Sequence, residues 1–424
     1  MKIVLINHTF QKPEFYKRWK LLAQDHKDLE VILFAPQEWA WGKEKDLTYG
    51  HVDVLKGSIL KEDNFEIRLI KIESTRFGGW NSEEMMSQIR DIMPDIVYYI
   101  GEHTQDALMQ LLELKKDKAT KNIKVFAFSM RGHQQSIKLV KSKNPVRLAK
   151  NVGKYFYFKK KVAKLNKYCD AVFCHYPDAL SEFRKEGYKG PIFMQTQVGV
   201  DPDVFYPDSA KREKIREKYN VGDAFLFGSA SRFHYSKGLS EIIEALPQDG
   251  NWKYLMMGWG RDDEVEKIKN EIKARGLEDK IILTGFINNW TDMCEHWNAL
   301  DCAVHMPLTT PEWEETFSLA LVQAMITGLP VMASSSGSVP YQVGEEGIII
   351  EERNIEKMRA TFEKMIADRE YGQEIGQKMR KRALNSFSIY HLNDCFYDTI
   401  VDLMKGIYDE NKIDMAKYRV GEDK

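Results

Sequence analysis

Cysteine is sparse and unpatterned in this sequence. The five, Cys169, Cys174, Cys294, Cys302 and Cys395, show neither the CxxC spacing of a zinc site nor the density of a disulfide scaffold, and are expected to be reduced core residues. Long apolar runs are missing too: residues 3–6 (IVLI) end far short of the roughly 18 that a membrane span needs. The amino terminus has one lysine and a very short apolar run before Asn7 and His8, without the charged region and longer core of a secretory leader, so the expected location is cytoplasmic. No strand pattern is followed by GxGxxG, since GWGRDD at 258–263 has only the first two glycines, which disfavours a dehydrogenase. Net charge is only -1, yet residues 1–200 hold 34 Lys+Arg against 24 Asp+Glu and the remainder 28 against 39. Acidic residues are absent from Lys118 to Cys169, where fifteen Lys or Arg occur.

Hydrophobic residues at 43% and charged residues at 29% are ordinary for a folded soluble protein, which excludes disordered and fibrous classes. At roughly 150 residues per domain, 424 residues predict two or three domains, and the pattern favours two. Lys2–Ile6 (KIVLI) is short and nearly all apolar, the mark of a strand buried on both faces of a parallel sheet. Similar runs at 31–35, 95–100, 124–129, 171–174 and 191–195 are separated mostly by helical patterns, which implies crossover units and a doubly wound sheet. The rhythm restarts at 225–230, 252–257, 280–285, 302–306 and 329–334, a second sheet. GVDPDVFYP at 199–207 reads as the linker between them. The expected fold is therefore α/β with two Rossmann-like domains, 1–205 and 206–390, and a helical segment and polar tail over 391–424. Two such domains side by side are expected to face a cleft at the carboxyl ends of their strands, where these sheets take ligands.

Two constellations carry chemistry. In SASRFHYSKGLSEIIEAL, 229–246, a strand is followed by Arg232, Lys237, Gly238 and an amphipathic helix. A planar fork of donors, a point charge and free N–H groups at a helix start suit a diphosphate, and a solvated basic loop is the plainer alternative. In EETFSLALVQAMITGLPVMASSSGS, 314–338, acidic residues precede a helix stopped by Gly328 and Pro330. Glu315 is by itself a favourable helix-dipole partner worth about 0.5 kcal/mol. The order of acidic strand exit, apolar helix and glycine stop points beyond generic architecture.

Together GVDPDVFYP (199–207), SRFHYSKG (231–238), MMGWGRD (256–262), LTGFI (283–287), ALDCAVHMP (299–307) and ETFSLALVQAMITGLPVMAS (315–334) resemble glycosyltransferase family 4, retaining sugar-nucleotide-dependent enzymes of the GT-B fold. The resemblance spans almost the whole carboxyl-terminal domain. The amino-terminal half is less similar, with NHTFQKPEF where the family has paired glycines after the first strand. The resemblance implies that Arg232 and Lys237 hold the donor diphosphate and that Glu315, first acid of an E-x7-E motif, contacts the transferred sugar. The second acid is replaced by Gln323, which offers one acceptor oxygen without charge to the nucleotide ribose. Backbone N–H groups of Thr316, Phe317, Ser318 and Leu319 are expected to face the donor, with Ser231 and Gly258 on the same side. No metal and no cofactor beyond the nucleotide-sugar is implied, because fixed cations stabilise the charge growing on the leaving oxygen. Asp201 and Asp203 look like a metal-binding acid pair of another transferase fold, but a turn is the favoured reading of their place in the linker.

On the acceptor side, His8, Glu102, His103, Arg131 and His133 follow strand patterns, and His133 is the nearest match to a family histidine that contacts the donor sugar. The basic stretch 138–168 mixes lysines with Tyr155, Phe156, Tyr157 and Phe158. It suits an anionic bilayer, at about 1 kcal/mol per cation near the surface, and equally a solvated helix face whose aromatics fill the core; nucleic acid, which would select similar charge, is not the expected partner. The expected function is transfer of a sugar, with retention, to a glycan or lipid-linked acceptor in cell-surface polysaccharide or glycolipid synthesis, at the inner face of the membrane if the basic stretch docks there. The alternatives are a non-catalytic nucleotide-sugar-binding module and a nucleotide-sugar epimerase.

Overall fold

The computed structural model describes residues 1–37, 60–75, 79–130, 132, 137, 140–141, 143–408 and 414. They divide into two compact units, one made of 1–197 with 392–414 and the other of 198–391. The first contains β1 (Lys2–Ile6), β2 (Glu30–Pro36), β3 (Leu60–Glu62), β4 (Phe65–Ile70), β5 (Glu73–Ser74), β6 (Trp80–Asn81), β7 (Ile96–Ile100), β8 (Lys124–Ser129), β9 (Ala171–Cys174) and β10 (Ile192–Met194). Eight of these form one sheet in the order β10-β9-β8-β7-β1-β2-β4-β3, and β5 and β6 pair separately. All pairs in the large sheet are parallel except β3 with β4. The strand order reverses between β1 and β7, and ligands of such sheets collect at the carboxyl ends beside that point.

β4 is absent from the sequence expectation for a clear reason. Its Glu66 and Arg68 lie two residues apart on one face, and the guanidinium donates to both carboxylate oxygens at 2.8 and 2.9 Å. Neutralised in this way, they sit in a strand that no apolar run announces.

The second unit contains β11 (Phe225–Ala230), β12 (Trp252–Met257), β13 (Ile281–Gly285), β14 (Cys302–His305), β15 (Val331–Ser334) and β16 (Ile348–Ile350). They form a wholly parallel sheet in the order β13-β12-β11-β14-β15-β16, reversing between β11 and β14. All five cysteines are buried thiols outside any disulfide. Burial pushes the thiols of Cys169 and Cys174 up to about 12, far from reactive thiolates. No helix among the described residues is long and apolar enough to cross a membrane.

The domain boundaries differ from the expected ones. Residues 199–207 belong to the second unit because they are stitched to its last helices: Val200 N–H donates to Phe387 O at 2.9 Å and Ile389 N–H to Val200 O at 3.0 Å. Asp201 and Asp203 form a turn, with the Asp203 N–H donating to Asp201 Oδ1 at 2.9 Å. The segment from 392 is no separate appendage either. The helix Ile389–Met404 inserts Cys395, Phe396 and Ile400 into the first unit's core, among Tyr98, Phe126 and Phe173. The expected tail falls outside the described residues, apart from Asp414.

Both places where the chain passes between the units adjoin one buried cation of the first unit. Arg18 donates to Thr196 O, Leu392 O and Asn393 Oδ1, each at 3.0 Å, and lies 4.6 Å from the Trp19 ring centroid. Replacing it by a chain of similar bulk without donors removes all three of these hydrogen bonds. Arg18→Met is expected to lower the free energy of unfolding by about 2–4 kcal/mol in urea titrations, and an unchanged midpoint would contradict this role.

Candidate functional site

The best-built cluster lies at the carboxyl edge of the second sheet, beside its reversal point. After β11 the chain makes a short 3-10 turn, Tyr235–Lys237, started by His234, whose Nδ1 accepts from Ser236 N–H. Gly238 follows at φ +66°, and a Cβ there would stand 1.9 Å from Met306 O, so only glycine lets this loop reach the loop after β14. Gly258, at φ +139°, is excluded from other identities likewise, since a Cβ would meet Ser231 O at 1.9 Å. These approaches hold the loops after β11, β12 and β14 edge to edge.

Lys237 Nζ then meets Glu315 Oε2 at 2.7 Å. His305 Nε2, on the last residue of β14, stands 3.6 Å from the same oxygen, and the Trp313 ring centroid lies 4.2 Å from the ammonium. Glu315 retains only 7% of its surface. Burial alone would raise its pKa, but the Lys237 charge, with His305, outweighs this and holds the carboxyl down at about 2. Its backbone is fixed as well, with Glu315 O accepting from Ser338 N–H at 2.7 Å.

Arg232 is exposed on the loop after β11. Its charge reaches the same region: burial lowers the His234 pKa, and Arg232, Lys237 and Arg261 lower it further against the pull of Glu264. Three cations thus act on one point, a field suited to an anion.

The helix after Glu315 starts later than the sequence suggests, spanning Leu319–Ile326. Ser318 is its N-cap, its Oγ accepting from Leu321 N–H at 3.2 Å, and it ends in a Schellman turn in which Leu329 N–H donates to Ala324 O. The expectation that the N–H groups of all four residues 316–319 face a donor needs correction, because Ser318 N–H is taken by Gln342 Oε1 at 2.9 Å. Thr316, Phe317 and Leu319 are half-buried, and the Phe317 ring packs against Phe387. Gln323 is buried, its side-chain oxygen accepting from the Trp297 indole at 3.4 Å. Ser231 donates its N–H to Met257 O, and Gly258 its N–H to Gly285 O. His305 and Trp313 escaped the sequence reading: one looks like the end of an apolar strand, the other like a loop aromatic.

At the reversal point of the first sheet, Asn7 replaces a glycine turn. Its Oδ1 accepts from Thr9 N–H and its Nδ2 donates to Ile100 O at 2.7 Å, joining the ends of β1 and β7. His8 is half-buried, and desolvation lowers its pKa to about 4, so it is neutral at ordinary pH. Glu102 Oε2 accepts from Ser129 Oγ at 3.3 Å. His103 lies behind it at 1% exposure, Nδ1 3.0 Å from Ser129 Oγ and Nε2 3.5 Å from Glu186 Oε2. The expectation that His103 touches a ligand is therefore replaced: it backs Ser129 and Glu102 from within the core. Arg131 and His133 lie outside the described residues.

The basic stretch is largely one helix, Pro145–Tyr168, capped by Asn144. Lys138 lies outside the described residues. The helix's carboxyl half docks on the first unit: Lys161 pairs with Asp106 at 2.5 Å, Tyr157 donates to Asp106 at 3.0 Å, Lys164 pairs with Glu113, and Val162 and Leu165 are buried. Elsewhere on the helix Arg147, Lys150, Lys154, Lys160 and Lys167 are exposed, as are Val146 and Phe156 at 65% and 64%. The aromatics therefore do not simply fill the core.

Comparison with known proteins adds a likeness to one family. Residues 211–382 match the family model described as "Glycosyl transferases group 1". Over 193 residues the chain is 26% identical to a GDP-mannose-dependent alpha-(1-6)-phosphatidylinositol monomannoside mannosyltransferase of Mycobacterium tuberculosis, covering 43% of this chain and 49% of the relative. It is 26% identical over 237 residues to the capsular polysaccharide biosynthesis glycosyltransferase CapM of Staphylococcus aureus, covering 53% and 59%. The chain thus spans about half the length of the curated relatives it matches. Among solved structures, Anabaena HepE in complex with UDP and glucose superposes with a TM-score of 0.67 at 17% identity, over 95% of this chain and 99% of that one. Two doubly wound units of this kind are the GT-B fold, and residues 211–382 carry the similarity to the group 1 glycosyl transferases.

Proposed function

We propose that this protein transfers a sugar from a nucleotide-sugar donor, with retention of anomeric configuration, to a glycan or lipid-linked acceptor in cell-surface polysaccharide or glycolipid synthesis. The observation that carries this reading is the ion pair of the buried Glu315 with Lys237, on the loop that also carries Arg232, at the reversal point of the second sheet. When the bond from sugar to diphosphate breaks, negative charge grows on the leaving oxygen. Arg232 and Lys237 strengthen their hold as it grows, which lowers the barrier without a metal. Glu315, kept ionised, has Oε2 committed to Lys237, so its second oxygen is left to accept from a sugar hydroxyl. The acceptor attacks the face the leaving group quits, and the leaving phosphate takes its proton, so no protein nucleophile is used. HepE was solved with UDP and glucose, and the M. tuberculosis relative is named for GDP-mannose and a phosphatidylinositol mannoside, which supports donors of this class and acceptors of lipid type.

We also propose that the exposed face of helix Pro145–Tyr168 rests on an anionic membrane on the cytoplasmic side. Exposed Arg147, Lys150, Lys154 and Lys160 share this stretch of helix with the exposed Val146 and Phe156, a mix of cations and apolar side chains suited to an interface.

Turnover of a nucleotide-sugar panel with lipid and glycan acceptors tests the reaction. Arg232→Ala is expected to cut kcat about 100-fold at an unchanged melting temperature, Lys237→Ala to cut it at least as far, and EDTA to leave the wild type unaffected. Wild-type turnover by Arg232→Ala would sink the diphosphate assignment, and an inverted product anomer by NMR would sink retention.

The depressed Glu315 carboxyl gives a pH signature. Its contribution to stability is complete above the unfolded value of 4.5 and is lost as pH falls towards about 2. The gap in unfolding free energy between wild type and Glu315→Gln should therefore narrow by up to about 3 kcal/mol across that window; a constant gap would contradict the pairing.

Vesicle sedimentation addresses the membrane face. Binding to phosphatidylglycerol vesicles is expected at low salt, to weaken as salt rises, and to be lost in Lys154→Glu/Phe156→Asp/Lys160→Glu. Binding that ignores both salt and these substitutions would refute this surface.

A further inference from the structure

Two donors converge on one oxygen of Glu315, and only one is engaged. Lys237 holds Oε2 at 2.7 Å, while His305 Nε2, 3.6 Å from the same atom, is buried with no hydrogen-bond partner. The ammonium of Lys237 has the Glu315 carboxylate and the Trp313 ring as its contacts. A lysine is a mobile point charge on a flexible stem, so a bound diphosphate draws it towards the phosphate oxygens. Glu315 cannot follow, because its backbone is tied to Ser338 and its side chain is nearly enclosed. A buried carboxylate deprived of its cation is strongly destabilised, and that cost would be subtracted from donor binding.

We infer that His305 is a positioning residue that takes over Oε2 of Glu315 when Lys237 turns to the diphosphate. The movement is small, roughly 0.6 Å from the present separation to ordinary hydrogen-bond length. His305 ends β14, whose pairing with β11 and β15 keeps its backbone still, so the imidazole needs only a modest rotation. The relay requires the tautomer with the proton on Nε2. It separates two tasks that Lys237 cannot perform at full strength together: neutralising Glu315 and clamping the phosphates. The inference rests on the reading of Arg232 and Lys237 as the diphosphate site.

Calorimetric titration of UDP, GDP and ADP tests it, using wild type, His305→Leu, His305→Phe, His305→Gln, Glu315→Gln and the double variant His305→Leu/Glu315→Gln. Leu and Phe remove the donor with different shapes, so a packing defect peculiar to one is recognised by the other, and melting temperatures without nucleotide register the fold. The nucleotide that binds wild type is expected to bind both apolar variants roughly tenfold or more weakly, and Gln, which restores an N–H near Nε2, to recover most of the loss. In the Glu315→Gln background, His305→Leu should add nothing, because an uncharged amide leaves no buried carboxylate for the imidazole N–H to hold. Wild-type affinity in both apolar variants, or an undiminished loss in the double variant, would overturn the hand-over. Wild type binding none of the three nucleotides would instead overturn the diphosphate site itself.

Discussion

Glu315 is a carboxylate left with 7% of its surface, and such a group persists in ionised form only where a cation meets it directly. Lys237 does so at 2.7 Å, and much of the surrounding architecture serves that meeting. The turn Tyr235–Lys237 aims the ammonium, Gly238 lets the turn lie against Met306 O, and Ser338 holds the Glu315 backbone. The crossing point of the second sheet supplies the place, because the strands diverge there and leave their carboxyl ends open between β11 and β14. The two partners arrive from loops 78 residues apart in sequence.

The parallel strands were legible because strands buried on both faces are written as unbroken apolar runs, as in β1, β7 and β11. β4 was not, because Glu66 and Arg68 neutralise each other on one face, an event that exists only after folding. The same distinction divides the site. Arg232, Lys237 and Glu315 stand out in sequence as charges at strand exits and through family resemblance. His305 and Trp313 have no such signal, since their significance is a separation of a few ångströms from residues remote along the chain. The start of helix Leu319–Ile326 was placed too early because the acidic run before it mimics a first turn, whereas Ser318 is the residue that caps it. His103 looked accessible because it follows β7, yet the chain folds it inward against Phe183.

The stretch without acidic residues shows how little a count of charge says about its use. Lys161 and Lys164 are spent on Asp106 and Glu113, anchoring the helix, while Arg147, Lys150 and Lys154 keep their charge at the surface. Composition sees one basic block; the fold makes it an anchor at one end and a charged face at the other.

The return of the chain to its first unit has a consequence for the order in which the protein becomes itself. Phe396 packs on Trp19, Tyr98 and Phe173, so the hydrophobic centre of the amino-terminal unit includes a side chain made after the whole of the second unit. Domains usually fold in the order they leave the ribosome. Here the core of the unit that emerges first is complete only once residues 198–391, with all six strands of the second unit, have been made.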